Sequence, residues 1–539
     1  LEFGTGGLRG VIGGGYNRMN TLVVKSATQG LASYVRKAFP EKAAAGKLAA
    51  AIAYDSRRYS PEFAEAAALI LAANGVKTYL FSALRPTPEL SFAIRRLGAD
   101  TGIVVTASHN PPQYNGYKAY WNDGAQVIPP HDEGIIREVN SVASIGEMTR
   151  EEALSRGLLE IIDRQIDEPY QAMVRGRLFR PELIKAKAAE VKIVYTPLHG
   201  TGAMHVEAAL GSLGLDVITV PEQREGNGDF PTVAFPNPEE AAALELALKL
   251  GAQVGADVVM ATDPDADRLG IAVPAKPGAS SLNSKYGFAL LTGNQLGTLL
   301  GDYIFLSLKE AGKLPPNAAM VNTIVTTGMQ KRVAEYYGAR CFECLTGFKW
   351  IASVMAKTEA DGSASVVYGT EESYGYLVEN EVRDKDGVSA AALTAEMTLY
   401  WRSQGKSLLD RLEELYEKVG YWEEAGVSKY FQGPQGPAIM ANIMEAYRKN
   451  PPATLGGVEV AKVRDLAHGD GDLPPSDVLQ FCLKDGAVVS ARPSGTEPKI
   501  KFYASCCAEI GSGGLEAARA EAARKLEAIK KDIRKVIGD

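Results

Sequence analysis

The chain has 539 residues, which corresponds to three or four domains at about 150 residues each. Hydrophobic residues make up 46% and charged residues 23%, the composition of a globular protein and not of a disordered or collagen-like one. The net charge is −7 and no long Lys/Arg block is present, which argues against nucleic-acid binding through a basic surface. Any anion site must therefore be a local pocket of positive charge.

No uncharged apolar run reaches the about 18–20 residues that a membrane span needs, so no membrane partner is expected. The five cysteines are odd in number and too few for a disulfide scaffold, which fits a reducing cytoplasm. Cys341 and Cys344 form a single C-x-x-C pair without a nearby His, and we expect buried thiols there in preference to a metal or redox site. Because the chain opens at Leu1 without an initiator methionine, an upstream segment is expected.

A short apolar strand followed by a polar loop recurs along the chain. The predicted strands are Thr101–Thr106, Val258–Thr262 and Ser365–Tyr368. Stretches with helical spacing lie between them, at Pro61–Ala73, Pro238–Leu250, Gly328–Tyr337 and Ser389–Arg402. Strands that alternate with helices predict three α/β domains with mixed, mostly parallel sheets, whose ligands bind beyond the carboxyl ends of the strands.

The C-terminal part of the chain has a different pattern. After the helical Leu408–Lys418, two strand-like runs, Ala487–Ala491 and Ile500–Ala504, flank a loop, and a helix over Leu515–Val536 follows. This predicts a smaller α+β domain, while the turn-rich Pro274–Gly287 marks a hairpin or a domain boundary. The expected domains are residues 1–165, 166–286, 287–404 and 405–539.

Three carboxylates alternate in the loop after the second strand, at Asp263, Asp265 and Asp267. Carboxylates this close repel one another unless a cation lies among them, and their hard oxygen ligands favour Mg²⁺ or Ca²⁺. An EF-hand is excluded because Arg268 occupies its glycine position and Pro274 its twelfth position. The alternative is a solvated acidic turn.

Ser108 follows the first strand and precedes His109, so a serine at the end of a sheet has a proton carrier beside it. A Ser/His/Asp hydrolase triad fits poorly, because no G-x-S-x-G elbow exists and adjacent residues rarely adopt the required geometry. As an isolated dipeptide, Ser-His is more often a turn.

Two further loops offer groups that recognise phosphate and sugar. Arg492, Ser494, Gly495 and Thr496 supply a guanidinium, two hydroxyls and close access to backbone amides, which are the parts of a phosphate cradle. Glu371 and Ser373 suit sugar hydroxyls. The alternatives are a plain β-turn and a surface loop.

The common nucleotide motifs are absent. The run Gly4–Gly10 is not G-x-G-x-x-G and no strand precedes it, while Gly405-Lys406-Ser407 has Tyr400 where a P-loop needs its first glycine. ATP-dependent transfer is therefore disfavoured. A serine, a hard-metal site, a sugar site and a phosphate site together predict phosphoryl transfer to and from a sugar.

The four loops, in this order and over nearly the whole chain, resemble the α-D-phosphohexomutase superfamily. The segments similar to its phosphoserine, metal, sugar and phosphate loops are Thr106–Pro111, Asp263–Arg268, Glu371–Ser373 and Arg492–Pro498. The longer members, phosphoglucomutases and their phosphopentomutase-like relatives, are resembled most closely in Phe3–Arg9, Thr196–Gly200 and Gly369–Gly375.

The resemblance implies a mechanism and a four-domain arrangement around a central cleft. Ser108 would carry a phosphoryl group in the resting enzyme, and one Mg²⁺ per chain would be held by the three aspartates and an oxygen of that phosphate. The phosphoryl group would pass to the bound sugar phosphate, and the resulting sugar bisphosphate, intermediate and activator of the reaction, would turn around and return its other phosphate to Ser108.

Roles for the other residues follow from the residue chemistry and the resemblance together. Arg268 would stabilise charge on the moving group, and Arg9 would contact the reacting phosphate. The candidates for proton transfer and phosphate contact are His109, Lys118 and Lys349. Glu371 and Ser373 would bind the sugar, and the distal phosphate would be held by Arg492, Ser494, Gly495 and Thr496.

The substrate remains open between several sugars. Interconversion of α-D-glucose 1-phosphate and glucose 6-phosphate is the expected reaction, and the same mechanism would serve phosphomannose or phosphopentose. A metal-dependent sugar phosphatase is the alternative from another class, and a non-catalytic paralogue is a further one. A small phosphosugar is the only partner expected, and the sequence does not specify an oligomeric state.

Overall fold

The computed structural model describes residues 7–276, 286–431, 433, 435–494 and 499–538. The described residues form two compact units, one within Leu1–Leu314 and Phe348–Leu409 and the other within Pro315–Gly347 and Asp410–Asp539. Within the described ranges, no helix is both long and apolar enough to cross a bilayer. All five cysteines lie in the described ranges and are free; Cys344 is buried, as predicted, whereas Cys341 is only partly buried.

The first domain is a mixed sheet with helices packed on it. Its strands are β1 (Gly7–Val11), β2 (Ala49–Tyr54), β3 (Lys77–Phe81), β4 (Thr101–Val105), β5 (Tyr114–Trp121) and β6 (Leu159–Ile162). Its helices are α1 (Thr21–Ala38), α2 (Pro40–Ala44), α3 (Ser60–Ala73), α4 (Thr87–Leu97), α5 (His131–Asn140) and α6 (Arg150–Ser155). The strand order is β1-β5-β4-β2-β3-β6, with β2, β3, β4 and β6 parallel and β1 and β5 joined by antiparallel pairs. All five residues of β4 are buried, which places the end of this strand inside the domain.

The second domain repeats this design with five strands among its described residues. The strands are β7 (Lys192–Thr196), β8 (Asp216–Thr219), β9 (Val258–Thr262), β10 (Leu269–Pro274) and β11 (Phe288–Leu290). The helices are α7 (Arg164–Gly176), α8 (Pro181–Lys187), α9 (Gly202–Ser212), α10 (Pro221–Arg224) and α11 (Glu245–Val254). The order is β11-β10-β9-β7-β8, and β10 pairs antiparallel with both β9 and β11. The β10–β11 pairing is that of a hairpin, as predicted, although residues 277–285 lie outside the described ranges.

The third segment contains α12 (Gly293–Glu310), β12 (Ala318–Thr323), α13 (Gly328–Tyr336), β13 (Arg340–Cys344), α14 (Phe348–Asp361), β14 (Ser365–Glu371), β15 (Gly375–Leu377) and α15 (Gly387–Ser403). In the first unit, β14 and β15 form an antiparallel pair. In the second unit, β12 and β13 are parallel. A capping box between Thr292 and Gln295 fixes the start of α12, because each side chain bonds the other residue's backbone amide.

The C-terminal segment is an antiparallel sheet covered by helices. Its elements are α16 (Leu408–Val419), β16 (Tyr421–Tyr430), α17 (Gly436–Lys449), β17 (Thr454–Leu455), β18 (Val458–Asp465), β19 (Leu479–Leu483), β20 (Val488–Pro493), β21 (Lys499–Ala508) and α18 (Gly514–Ile537). The order is β16-β21-β20-β19-β18-β17. Helix α18 buries Leu526, Ile529 and Ile533, at helical spacing, in one core with Val489 and Phe502 of the sheet.

The element order and the pairing confirm the predicted fold class, three α/β domains with mixed sheets followed by an α+β domain. One predicted helix, Pro238–Leu250, is wrong in its first half, because α11 begins only at Glu245. Tight turns replace the helix before that point: the side chain of Asn237 accepts a hydrogen bond from the amide of Glu239, and the carbonyl of Asn237 accepts one from the amide of Glu240.

Candidate active site

Ser108 lies directly beyond the buried strand β4 and is itself only 4% exposed. Its φ of 49° is in the left-handed region, which costs a non-glycine residue on the order of 1–3 kcal/mol. The hydroxyl Oγ donates a hydrogen bond to Oδ2 of Asp263 at 2.6 Å, and Nδ1 of His109 lies 3.1 Å from Oγ. The serine that the sequence singles out therefore lies directly against the metal loop.

The strained loop around Ser108 is held by one buried guanidinium. Arg57 donates hydrogen bonds to four backbone carbonyls, those of Ser108 and Asn110 at 2.5 Å, Pro111 at 2.9 Å and Tyr114 at 3.1 Å. The side chain of Asp55 lies 3.3 Å from Nε of Arg57. This guanidinium thus fixes the backbone from the serine to the start of β5.

Asp55 connects this guanidinium to the amide of the serine. It accepts a hydrogen bond from the hydroxyl of Thr106 at 2.6 Å, and Oγ1 of Thr106 in turn accepts the amide of Ser108 at 2.8 Å. Burial raises the pKa of Asp55, whereas the charge of Arg57 and the bond from Thr106 favour its ionised form.

The three predicted metal ligands come together as the sequence indicates. Asp263, Asp265 and Asp267 are at most 1% exposed, and each offers a carboxylate oxygen within 4.8 Å of the others. Burial and the two neighbouring carboxylates raise the pKa of Asp263 well above its ordinary value. The backbone folds tightly around Asp263, whose Oδ1 accepts the amides of Asp267 and Arg268, both at 3.1 Å.

Two lysines and an arginine surround these carboxylates. Lys118, on β5, lies 3.0 Å from Oδ2 of Asp265 and 3.5 Å from Oδ2 of Asp267. Lys385 lies 3.0 Å from the same oxygen of Asp267. Burial alone would lower the pKa of each amine. Together, the neighbouring carboxylates have the larger effect, so the pKa of Lys118 is raised and that of Lys385 is raised further. The pKa of Arg268 is raised in the same way, with Glu239 as the strongest of its acidic neighbours.

The carboxylates fit a hard divalent cation. Among the described residues, Oδ1 of Asp265 and Oδ1 of Asp267 are buried and have no hydrogen-bond partner, although buried oxygens of this kind are almost always satisfied in a folded protein. Oxygen atoms left in this condition at the centre of a carboxylate cluster are suitable ligands for Mg²⁺.

The loop Thr196–Gly200 provides a platform for the metal loop. A Cβ atom added at Gly200 would lie 2.3 Å from Cα of Pro264, so only glycine allows this approach. The amide of Thr201 donates to the carbonyl of Pro264 at 2.8 Å. The residues that follow β7 therefore pack directly against the metal loop and support it.

His109 is partly buried beside Ser108. Burial, together with the positive charges of Arg268 and Arg9, lowers the pKa of His109 well below its ordinary value. The neutral imidazole has one nitrogen that can accept a proton.

The end of the metal loop is joined to the turn that follows the predicted sugar loop by backbone hydrogen bonds. Arg268 forms an isolated antiparallel bridge with Gly375, and the amide of Leu269 donates to the carbonyl of Tyr374 at 3.0 Å. Glu371 ends β14 and is 4% exposed, and burial raises its pKa to about 7. Ser373 lies half-buried in the turn between β14 and β15.

Arg9 and Lys349 occupy different surroundings. Arg9 is on β1, and its Nη1 donates to the side chain of Asn110 at 3.2 Å, in the segment Thr106–Pro111 that carries Ser108 and is called the serine loop below. Lys349, in the first turn of α14, lines a cavity of about 160 Å³ with Trp121, Asp123 and His131, and none of the residues lining that cavity comes from the serine or metal loop. Burial lowers the pKa of Lys349.

The predicted phosphate loop is in the second unit. Arg492 pairs with Lys501 near the end of the β20–β21 hairpin, and the amide of Ser494 donates to the carbonyl of Lys499 at 2.7 Å. Gly495 and Thr496 lie outside the described residues.

Sequence reasoning missed Lys385 and Arg57. Both follow a strand, Lys385 in the segment Asp384–Gly387 after β15 and Arg57 after β2. Polar residues beyond the carboxyl ends of other strands were the signal that found Ser108 and Asp263, and the same signal could have found Arg57.

Comparison with known proteins agrees with this architecture over four consecutive segments. Models of the phosphoglucomutase/phosphomannomutase family match α/β/α domain I at residues 1–145, domain II at 168–276, domain III at 292–419 and the C-terminal domain at 444–509. The order of these matches is the order of the four predicted loops.

Similar proteins extend over nearly the whole chain. A probable phosphoribomutase of Schizosaccharomyces pombe is 37% identical over 93% of this chain and 86% of its own length, and a phosphoglucomutase of Staphylococcus epidermidis is 35% identical over 94% and 90%. The phosphoglucomutase pp63/parafusin of Paramecium has the same fold, with a TM-score of 0.75 at 18% identity over 100% of this chain and 96% of that one.

The fold and these matches define an isomerase, a phosphomutase that acts on small phosphosugars. The chain belongs to the phosphoglucomutase/phosphomannomutase family, within the α-D-phosphohexomutase superfamily that the sequence resembles.

Proposed function

We propose that this enzyme interconverts α-D-glucose 1-phosphate and glucose 6-phosphate through a phosphoserine at Ser108 and a sugar bisphosphate. The observation that carries the proposal is the 2.6 Å contact between Oγ of Ser108 and the buried carboxylate of Asp263. It supports a nucleophile placed against a cation site, which is the arrangement that phosphoryl transfer needs.

In the first half-reaction, the bond between phosphorus and Oγ of Ser108 breaks, and a bond to the free hydroxyl oxygen of the sugar phosphate forms. The proton of that hydroxyl passes to Oγ, and Nδ1 of His109, 3.1 Å from Oγ, is placed to relay it. The second half-reaction reverses these changes with the other phosphate, so no further reactant is needed.

The aspartates Asp263, Asp265 and Asp267, with a phosphate oxygen on Ser108, would hold one Mg²⁺. When bound, this ion neutralises charge on the transferring phosphoryl group. Lys118, Lys385 and Arg268 hold positive charge around the same position, where it stabilises the phosphoryl oxygens during transfer. We assign Arg9 to the reacting phosphate and retain Lys349 as a candidate phosphate contact.

Substrate recognition is assigned to two loops. Glu371 and Ser373 would bind sugar hydroxyls, and Arg492, Ser494, Gly495 and Thr496 would hold the phosphate that is not reacting. The 37% identity to a probable phosphoribomutase favours a pentose 1-phosphate as the second candidate substrate.

The deciding experiment compares turnover of α-D-glucose 1-phosphate, mannose 1-phosphate and ribose 1-phosphate in Mg²⁺, with and without the matching sugar bisphosphate. We expect the highest kcat/KM for glucose 1-phosphate and stimulation by glucose 1,6-bisphosphate. Ser108→Ala should lose turnover but still bind the sugar phosphate. A higher kcat/KM for ribose 1-phosphate would replace the glucose assignment, and stoichiometric release of inorganic phosphate would identify a phosphatase.

A further inference from the structure

We propose that Thr87, in the first domain, is a positioning residue for Asp265 in the metal loop of the second domain. The inference rests on the proposed function, in which Asp265 is a metal ligand. It adds that the orientation of this ligand is set across the boundary between two domains, by a neutral side chain that lies in neither of the loops proposed to bind sugar and phosphate.

Thr87 makes two hydrogen bonds to the same aspartate. Its hydroxyl donates to Oδ2 of Asp265 at 2.9 Å, and its amide donates to the backbone carbonyl of Asp265, also at 2.9 Å. Thr87 and Asp265 are both fully buried. Thr87 is the first residue of α4, where backbone amides have no partner within the helix, so its amide is available to another segment.

These bonds determine which carboxylate oxygen remains available. Oδ2 of Asp265 accepts hydrogen bonds from Thr87 and, at 3.0 Å, from Lys118, whereas Oδ1 is buried and has no hydrogen-bond partner in the part of the chain that the structure describes. The terminal torsion of aspartate is broad, so a carboxylate held by Lys118 alone can rotate. The second donor at Oδ2, combined with the backbone anchor, keeps Oδ1 directed to the cluster.

The segment around Thr87 is itself tied to the second domain on both sides. Arg85 binds both oxygens of Asp167 on α7, at 2.8 and 2.9 Å, and Glu89 accepts a bond from Nε2 of His205 on α9 at 2.7 Å. The guanidinium of Arg85 pairs with the carboxylates of both Asp167 and Glu89, so we interpret these contacts as an anchor between the two domains. In the sequence, Thr87 lies midway between Arg85 and Glu89, the two residues that form these contacts.

The test measures metal affinity and does not depend on turnover. The full-length chain is titrated with Mn²⁺ alone, followed by electron paramagnetic resonance, for the wild type and for Thr87→Val, which keeps the size of the side chain and the backbone amide. We expect about tenfold weaker Mn²⁺ binding, the range found when a group that orients a metal ligand is removed. Thr87→Ser, which keeps the hydroxyl, should restore the affinity. With Mg²⁺, kcat should fall while KM for the sugar phosphate stays nearly constant.

Thr298→Val is the matched control. The hydroxyl of Thr298 donates to the carbonyl of Asn294 at 2.8 Å, so this variant removes a buried hydroxyl whose hydrogen bond lies within α12. Equal Mn²⁺ affinity in wild type and Thr87→Val, or an equal loss in Thr298→Val, overturns the inference. If Asp265→Asn binds Mn²⁺ as tightly as the wild type, the proposed metal site itself is wrong. If Thr87→Val and Asp265→Asn lose Mn²⁺ affinity and Thr87→Ser keeps it, the result supports both the positioning role of Thr87 and the proposed metal site.

Discussion

The guanidinium of Arg57 determines the conformation of the loop that carries Ser108. The side chain is buried, its charge faces Asp55, and it binds four carbonyls between Ser108 and Tyr114. Local sequence alone does not favour a serine at φ 49°, and these long-range bonds compensate for the strain. The proposed nucleophile, Ser108, is thus placed by a residue 51 positions earlier in the chain.

Replacing Arg57 with Leu should destabilise the protein by about 3–5 kcal/mol, because it leaves the buried carboxylate of Asp55 unpaired. Differential scanning calorimetry measures this as a lower Tm. Arg58→Leu is the control: Arg58 forms a surface ion pair with Asp229, and such a pair contributes about 0–1 kcal/mol. Equal Tm values for the two variants would contradict the role given to Arg57.

Glu379 makes stability depend on pH. Burial, and then the charge of Asp386, raise its pKa from 4.5 to about 8. The folded state therefore binds this proton more tightly than the unfolded chain, so the stabilising contribution is complete below pH 4.5 and is lost as pH rises towards 8. Glu379→Gln removes the titration. The Tm of wild type relative to this variant should fall between pH 5 and pH 8.5, and a constant difference would exclude the assignment.

The loops beyond strand ends are the elements that make up the site. The serine loop follows β4, the metal loop follows β9 and the sugar loop follows β14. Each strand is buried near its end, so each loop starts from a fixed point. The metal loop is further supported by the turn after β7, which makes its position sensitive to the size of residue 200.

Gly200→Ala should displace the metal loop. The added Cβ would lie 2.3 Å from Cα and 2.5 Å from the carbonyl oxygen of Pro264, and overpacking of this kind costs about 1–3 kcal/mol. We expect a lower Tm and weaker Mn²⁺ binding. Gly211→Ala, at a helical position in α9 where the added Cβ would meet no described atom within 4 Å apart from its own stretch of helix, should instead keep or raise the Tm. A Gly200→Ala variant that behaves like Gly211→Ala would contradict the close approach.

At the scale of the whole molecule, the proposed reactive groups and the proposed distal phosphate anchor belong to different compact units. Ser108 and the three aspartates are in the first unit, and Arg492 is in the second. A variant of Arg492 can therefore separate substrate capture from metal binding.

Arg492→Ala should lower kcat/KM, with a loss of transition-state stabilisation on the order of 2–4 kcal/mol, because a guanidinium binds phosphate through two parallel hydrogen bonds. Mn²⁺ affinity should not change. Arg448→Ala, which removes a cation paired with Asp465 and Asp477 in the same unit, is the control and should keep the parental kcat/KM. A kcat/KM within about a factor of two of the parent would move the phosphate anchor away from this loop.

The sequence by itself determined the features that depend on neighbouring residues. Alternating strands and helices predicted the α/β domains, and the spacing of Asp263, Asp265 and Asp267 after a buried strand predicted their clustering, because a tight loop keeps alternate side chains together. The same reasoning placed Ser108 at the end of a sheet.

Only the tertiary structure decided what depends on distant residues. Turns formed around Asn237 override helical spacing from Pro238 to Leu244. Lys385, Arg57 and Thr87 reach the candidate site through contacts with residues that are distant in the sequence. Within the described ranges, Oδ1 of Asp265 has no hydrogen-bond partner, because Thr87, at the start of α4, and Lys118, on β5, both donate to Oδ2. Sequence spacing specifies which groups can bind a cation, whereas packing specifies which of their oxygens remain free to do so.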